Sequence, residues 1–583
     1  MLFAGLALVV VGAGAVFDPW GWSGYLSVKV IAVGAGLALL ALSLGRTGSL
    51  VVPWGAWSAS AGVLGVLMVL ATVLSGTVWR SVLGAPLRLE GMLAWFGFAT
   101  AFAVGLSLRR QHGDVATDAL VRVVVIAVIV VGAVGIGELA GVEVDSDLIE
   151  FHGRVRSTLG NPAAFAGFML LVAPLAATAW LRQDWWRWAG VGAACLSLVG
   201  IAAAQSRGAW LAAGVVVVAV AAMRLRGQFR WVAAAALLAA AAGSAFTGRW
   251  HQAVADFGER AAIWRVAVSA IGDNPVLGVG PEGFIVAFGE RVSDETIREI
   301  GRAAVVDRAH NGVLDFAVSF GGIAGLLFTV LLGAVGVAAL KAVRGGDWRL
   351  VALAAGVMAY GLQQLVLFAH PAVDTVWWLM IGFLVADTAL PVRSMPRTAA
   401  VAAVAVAAAL VVNSVSVLRN DRLYKQALDA SSIPGAYEPL DRAASHRPFD
   451  DASYALMGEL VGAAPDVSIV LRGVERLSDG AERNRGNELV VLALADAQLQ
   501  AFRLAGQPSF AADANRTLSS LIATQPANGD AYLRRGIARY YLGDNDAARI
   551  DWQRAAHLMP QRAEPRDYLT AVNGDGSGEP GLP

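Results

Sequence analysis

A single cysteine, Cys195, stands among 583 residues, so the chain can form neither an intramolecular disulfide nor a thiolate metal cluster. Its surroundings, VGAACLSLVG, are apolar and assign it to packing. Charge is scarce as well. Asp, Glu, Lys and Arg make up 15% of the chain against 57% hydrophobic residues, and a mean hydropathy of +0.59 exceeds what a soluble fold can bury. The 45 basic and 45 acidic residues cancel, leaving no excess that would mark a nucleic-acid partner. No Lys or Arg precedes Lys29, so the apolar start reads as a retained first span, not a cleaved signal.

Long hydrophobic runs are abundant. Segments able to cross about 30 Å of hydrocarbon recur at 2 to 16, 26 to 44, 51 to 75, 92 to 107, 117 to 141, 163 to 181, 188 to 204, 209 to 223, 231 to 247, 312 to 340, 350 to 369, 373 to 391 and 398 to 418. This predicts an all-α, polytopic membrane helical bundle of about 13 spans. Basic residues concentrate in alternate loops: Arg46; Arg109 and Arg110; Arg182 and Arg187; Arg224, Arg226 and Arg230; Lys341, Arg344 and Arg349; Arg393 and Arg397. The positive-inside rule makes those loops cytoplasmic. The N-terminus is then inside, and 142 to 162, 205 to 208, 248 to 311 and everything after 418 are outside. The Ala, Val, Gly and Arg bias with few Lys points to a GC-rich bacterial genome, hence a multi-pass protein of a bacterial plasma (inner) membrane with an extracytoplasmic C-terminal domain.

Composition changes after Val417, dividing the chain into a transmembrane domain (1–418), a soluble Ala-rich helical domain (419–570) and a tail (571–583) that GDGSGEPGLP marks as disordered. The unit NGDAYLRRGIARYYLGDNDAARIDWQRAAHLMP resembles a tetratricopeptide repeat. Tyr532, Gly536, Tyr540, Gly543, Ala548, Trp552, Ala555 and Pro560 fall where that pattern wants large, small and helix-stopping residues. One repeat cannot bury its own face, so the segments around 421 to 448 and 488 to 526 read as degenerate companions. Such a domain is either a structural cap or a surface for an acceptor or a protein partner.

Arginines in short outward loops run against the positive-inside bias. Arg154 and Arg156 precede STLGNPAAFAG, Arg207 sits in QSRGAW, and Arg260 and Arg265 lie in the large outer loop 248–311. An arginine at a helix end can simply snorkel to headgroups; several converging would suit a diphosphate, which guanidinium groups grip bidentately. GVGPEG, Gly278 to Gly283, has dinucleotide-fingerprint spacing but lacks the preceding strand and contains Pro281, so it reads as tight turns. His310 and Asn311 close the loop. Asn311 is a good N-cap for GVLDFAVSFGGIAGLL, and the helix N-terminus beside His310 favours a neutral ring able to accept a proton.

Taken in order, RSTLGNPAAFAGFMLLVAPL, QSRGAW, ERAAIWRVAVSAIGDNPVLGVGPEGF and RAHNGVLDFAVSFGGIAGLL resemble the successive signatures of the O-antigen ligase and polymerase superfamily, over roughly residues 150 to 340. The resemblance implies a GT-C-like, metal-independent glycosyltransferase without cofactor. Its donor would be a polyprenyl-diphosphate-linked glycan and its acceptor a lipid, a polymer or a protein. Carried onto this sequence, Arg156, Arg207 and Arg265, with Arg260 competing for the last role, would hold the diphosphate. His310 would be the base or orienter for the acceptor hydroxyl, with Asn161, Asn311 and Asp315 in support. Asp315, one turn into the helix, is either a partner for His310 or a capping charge. En bloc ligation, polymerisation of lipid-linked repeats and protein O-oligosaccharyl transfer remain open, and an envelope transporter or scaffold is the non-enzymatic alternative.

Overall fold

The computed structural model describes residues 1–142, 153–224, 250–300, 306–388 and 390–573. It is an all-α polytopic membrane protein. Among the described residues nine helices are long and apolar enough to cross a membrane, and Leu2–Ala15 and Pro371–Ala386 are shorter apolar helices. Met92–Leu139 holds two crossings joined at Gly113, where φ is 50° and ψ is −128°. Every expected span thus has a helical counterpart except 231 to 247, which lies outside the described residues, as do Arg226 and Arg230. Val66, Val73, Leu326, Val330 and Val337 remain more than half exposed, as befits faces that only lipid covers.

Small residues set a tight crossing in the bundle. A Cβ on Gly105 would collide with the Leu379 carbonyl, and one on Gly382 with the Phe102 carbonyl. The two helices therefore touch backbone to backbone, the close approach that glycine permits within hydrocarbon.

Polar contacts sort onto two faces. On one, Arg109 pairs with Asp114 at 2.7 Å and Asp387 at 3.0 Å, Arg182 pairs with Asp118, and Arg224 stacks on Trp348 at 4.4 Å. The strands Val51–Pro53 and Val392–Ser394 pair antiparallel. On the other face lie the large loop and the C-terminal helices. Arg397–Leu428, 32 residues long, reaches both faces; at about 1.5 Å per residue it outruns the hydrocarbon. The expected boundary at 418/419 falls inside it, and Asp18 receives Arg422 there at 3.0 Å.

The C-terminal helices from Ile433–His446 to Glu564–Asn573 run largely as antiparallel pairs. Gly536 leaves room for Trp552, which is fully buried and donates its indole N–H to the Leu533 carbonyl at 3.1 Å. These helices do not stand apart from the loop. Ile263, Ala267, Phe288, Ile297 and Ala309 share one apolar core with Leu533, Ile537, Trp552 and Leu558. Arg554 to Asp294 adds an ion pair between the two regions, and Arg80 of the short helix Val78–Leu83 adds another from the bundle to Asp451.

Candidate functional site

The expected span 312 to 340 is broken. Gly312–Phe320 ends at Gly321, and Gly322–Gly345 restarts the run. At about 1.5 Å per residue the nine-residue first piece covers about 14 Å and cannot cross alone. The cause is the glycine loop before it: Val279 N–H donates to the Val318 carbonyl at 2.9 Å and Gly280 N–H to that of Ser319 at 3.0 Å. Gly278 and Gly321 adopt φ of 64° and 94°, and a Cβ on either would strike backbone. GVGPEG is therefore a wedge that satisfies the carbonyls of an interrupted helix, more than the turns the sequence suggests. An aromatic cluster anchors the half-helix: Phe316, Phe320 and Phe328 surround Trp95 with ring centroids 4.8, 6.0 and 5.7 Å away.

The start of that half-helix carries the candidate chemistry. Asn311 caps it as expected, its side-chain oxygen accepting from Val313 and Leu314 N–H at 3.1 Å. The Asn311 amide donates to the Leu365 carbonyl at 2.9 Å. Leu365 belongs to a short 3-10 turn, Gln364–Val366, whose Val366 packs on Gly208. One turn of chain thus joins the start of Arg207–Arg224, where Arg207 is exposed, to the start of the half-helix. The neighbouring strap is tied to the same corner: Arg154 donates to the Ala204 carbonyl at 3.2 Å and Val155 N–H to that of Ala203, also at 3.2 Å. Arg156 meets Glu138 at 3.7 Å in a largely buried pair. Asn161 caps Pro162–Ala177, accepting from Ala163 and Ala164 N–H.

The two loop arginines face different ways on their helix. On Trp250–Asp273, Trp264 donates its indole N–H to the Ala309 carbonyl at 2.9 Å, so this face meets the His310 segment. Arg260, one turn earlier on the same face, acts electrostatically on His310. Arg265 turns away, 64% exposed, and pairs with Glu299 at 3.3 Å. Of the two arginines, Arg260 is thus the one on the face toward the His310 segment.

Asp315 has two open roles, partner of His310 or capping charge. Its carboxylate accepts from Ala309 N–H at 2.6 Å, closing the loop backbone in place of engaging the imidazole. A carboxylate at that helix position reaches back to the free N–H groups ahead of the cap. Asp307 is the carboxylate whose charge raises the basicity of the His310 ring most.

His310 is half-buried with φ of 52°, in the left-handed region that few side chains adopt. Burial pushes its pKa down to about 4, Asp307 opposes the fall, and Arg88, Arg260 and Arg308 add to it. A neutral ring is what the sequence predicts, but desolvation and three guanidinium groups hold it so. Beside it, Arg308 is buried against Glu282 at 2.8 Å and Glu90 at 3.4 Å. Burial pushes the Glu90 carboxyl up to about 8 while its carboxylates hold Arg308 far above the usual arginine range. Two acidic side chains thus share one buried cation.

Residues 192–329 match a family model described as O-antigen ligase. The matched stretch holds Arg207, Arg260, Arg265, His310, Asn311 and Asp315; Arg156, Asn161 and the C-terminal helices lie outside it. No curated protein matches the chain. The O-antigen ligase family implies a membrane enzyme of glycosyl transfer, of the ligase or polymerase type, working on a lipid-linked glycan. Sequence reasoning missed Arg80 and Arg88. Both lie in the segment between the third and fourth expected spans, outward by the same charge pattern that singled out Arg207, so the signal was present.

Proposed function

We propose that this protein transfers a glycan from a polyprenyl diphosphate to an acceptor hydroxyl at the outer face of the bacterial plasma membrane, as a ligase. The observation that carries the reading is the convergence of His310, Arg260 and the start of the Arg207 helix at one corner of the face that bears the large loop. The opposite face carries Arg109, Arg182 and Arg224, which the positive-inside rule assigns to the cytoplasm. The repeat-like helices, sharing the loop's core, are read as a clamp on the outer site that also offers the acceptor a surface.

The reaction breaks the bond between the anomeric carbon and the diphosphate oxygen and forms one to the acceptor oxygen. The electron pair leaves on the diphosphate, where Arg207 and Arg260 neutralise charge that grows toward the transition state. The acceptor proton passes to His310. Each chemical role falls to a side chain, so the reading needs no metal.

Purified protein in vesicles is the test, with the lipid-linked glycan that accumulates in a deletion strain as donor and released polyprenyl diphosphate as readout. Arg207→Ala and Arg260→Ala are expected to lose about 10²- to 10³-fold in kcat, the scale of one charge-stabilising donor. Arg265→Ala should stay within about fivefold, since an exposed pair contributes little. Equal losses at Arg260 and Arg265 would break the assignment. In the deletion strain, full-length lipid-linked chains without surface product mean ligation, whereas single lipid-linked repeats would replace it with polymerisation.

A further inference from the structure

Arg88 stands in the loop between Val78–Leu83 and Met92–Leu139 and touches the His310 segment from across the fold. Its guanidinium forms a fork with Asp307, Nε to Oδ2 at 2.7 Å and Nη2 to Oδ1 at 3.0 Å. The same plane covers the Phe368 ring, 4.2 Å from its centroid. Phe368 in turn meets the His310 ring edge-on, with centroids 5.6 Å apart and planes at 67°. We infer that Arg88 is a positioning residue for His310, fixing the imidazole through the Asp307 fork on one side and the Phe368 ring on the other.

The inference rests on the reading of His310 as the proton acceptor. Its physical basis is a division of labour. Trp264 and Asp315 hold the backbone of residue 309, and the Asn311 amide ties its side chain to the Leu365 carbonyl, but none of them orients the imidazole. His310 occupies a backbone region it would not choose alone, so its ring direction depends on what packs against it. A planar, bidentate and stacked guanidinium is rigid in a way a lysine ammonium is not. It also couples the loop at 84–91 to the His310 loop through partly buried charges, 23% and 28% exposed, where a fork is stronger than on an open surface.

The charges facing the ring are Asp307, Arg88, Arg260 and Arg308, which gives the role an electrostatic signature. Removing a cation raises the basicity of the ring, and removing Asp307 lowers it. The test compares Arg88→Lys, Arg88→Gln, Asp307→Asn, Phe368→Leu and His310→Ala in the vesicle assay, with thermal melting in detergent confirming that each variant is folded. Arg88→Lys and Phe368→Leu are expected to lower kcat about 10- to 100-fold, the cost of a misplaced reacting group, with little change in donor KM. The acid limb of kcat/KM should move up in Arg88→Gln and down in Asp307→Asn. A structural brace would move neither. If Arg88→Lys raises donor KM and spares kcat, Arg88 grips the donor and the inference is overturned. If Arg88→Lys and Phe368→Leu match wild type while His310→Ala is dead, positioning fails and the reading of His310 survives. An active His310→Ala sinks that reading itself.

Discussion

His310→Ala is expected to lower glycan transfer by about 10²- to 10⁴-fold, the contribution of a placed general base. Donor affinity should hardly change, because the arginines carry the diphosphate. The loss therefore belongs in kcat and, equally, in kcat/KM, the mark of an interaction made only in the transition state. A fall in affinity with kcat intact would instead make His310 a donor ligand.

The pH dependence sharpens this result. In the free protein the His310 pKa is pushed down to about 4, chiefly by burial. The base is active when neutral, so kcat/KM should stay flat from pH 8 downward and fall only as pH approaches that value. Binding of the donor brings anionic phosphates near the ring, and an opposite charge favours its protonated form. The acid limb of kcat must then lie above that of kcat/KM, since the two report the bound and the free enzyme. This rise also brings the base closer to the pH at which it works, so donor binding itself completes the catalyst. Coincident limbs near an ordinary histidine value would contradict the buried, arginine-flanked setting.

Hydropathy reads the spans well because lipid leaves the backbone no partner but itself, and an apolar run must become a helix. It is silent on where a helix breaks. Residues 312 to 340 carry a single charge, Asp315, and read as one apolar run, and the interruption at Gly321 comes from the wedge at 278–280, whose N–H groups take over carbonyls at the end of the half-helix. The GVGPEG spacing shows that the chain can turn but not what it turns against. Arg260 and Arg265 illustrate a second limit. Five positions on a helix separate two side chains by about 140°, so only one of them can face His310, and the sequence does not say which way the helix is rolled. The indole of Trp264 decides it. Arg88 was within reach of the charge argument, but its pairing with Asp307, 219 residues away, is tertiary.

Arg308→Met carries the largest expected stability effect. Arg308 and Glu282 are 4% and 2% exposed on their side chains, with Glu90 as the second acid. Removing the cation leaves Glu282 buried without its partner, which typically costs about 3–5 kcal/mol. The cost should fall on the outer loop first. Arg308 is two residues from His310, Glu282 follows Pro281, whose carbonyl accepts from Ser81 at 2.8 Å, and neighbouring Arg80 holds Asp451 in the C-terminal helices at 2.8 Å. Hydrogen exchange over residues 306–311 and 278–283 should therefore rise before the bundle melts, and the Arg80 to Asp451 tie should loosen with it. The penalty must shrink at low pH, where a carboxylate left without its cation takes up a proton, and grow as pH rises. Arg308→Met combined with Glu282→Leu should recover most of the stability, since replacing both partners of a buried pair by apolar groups is often neutral or better. Such a recovered variant separates two functions of the pair. If transfer returns with stability, the pair only holds the loop; if stability returns and kcat stays low, the charge of Arg308, which helps keep the His310 ring neutral, serves transfer beyond holding the loop. A single Arg308→Met variant as stable as wild type, with unchanged exchange in the loop, would rule out this buried pair as the tie between the wedge and the His310 segment.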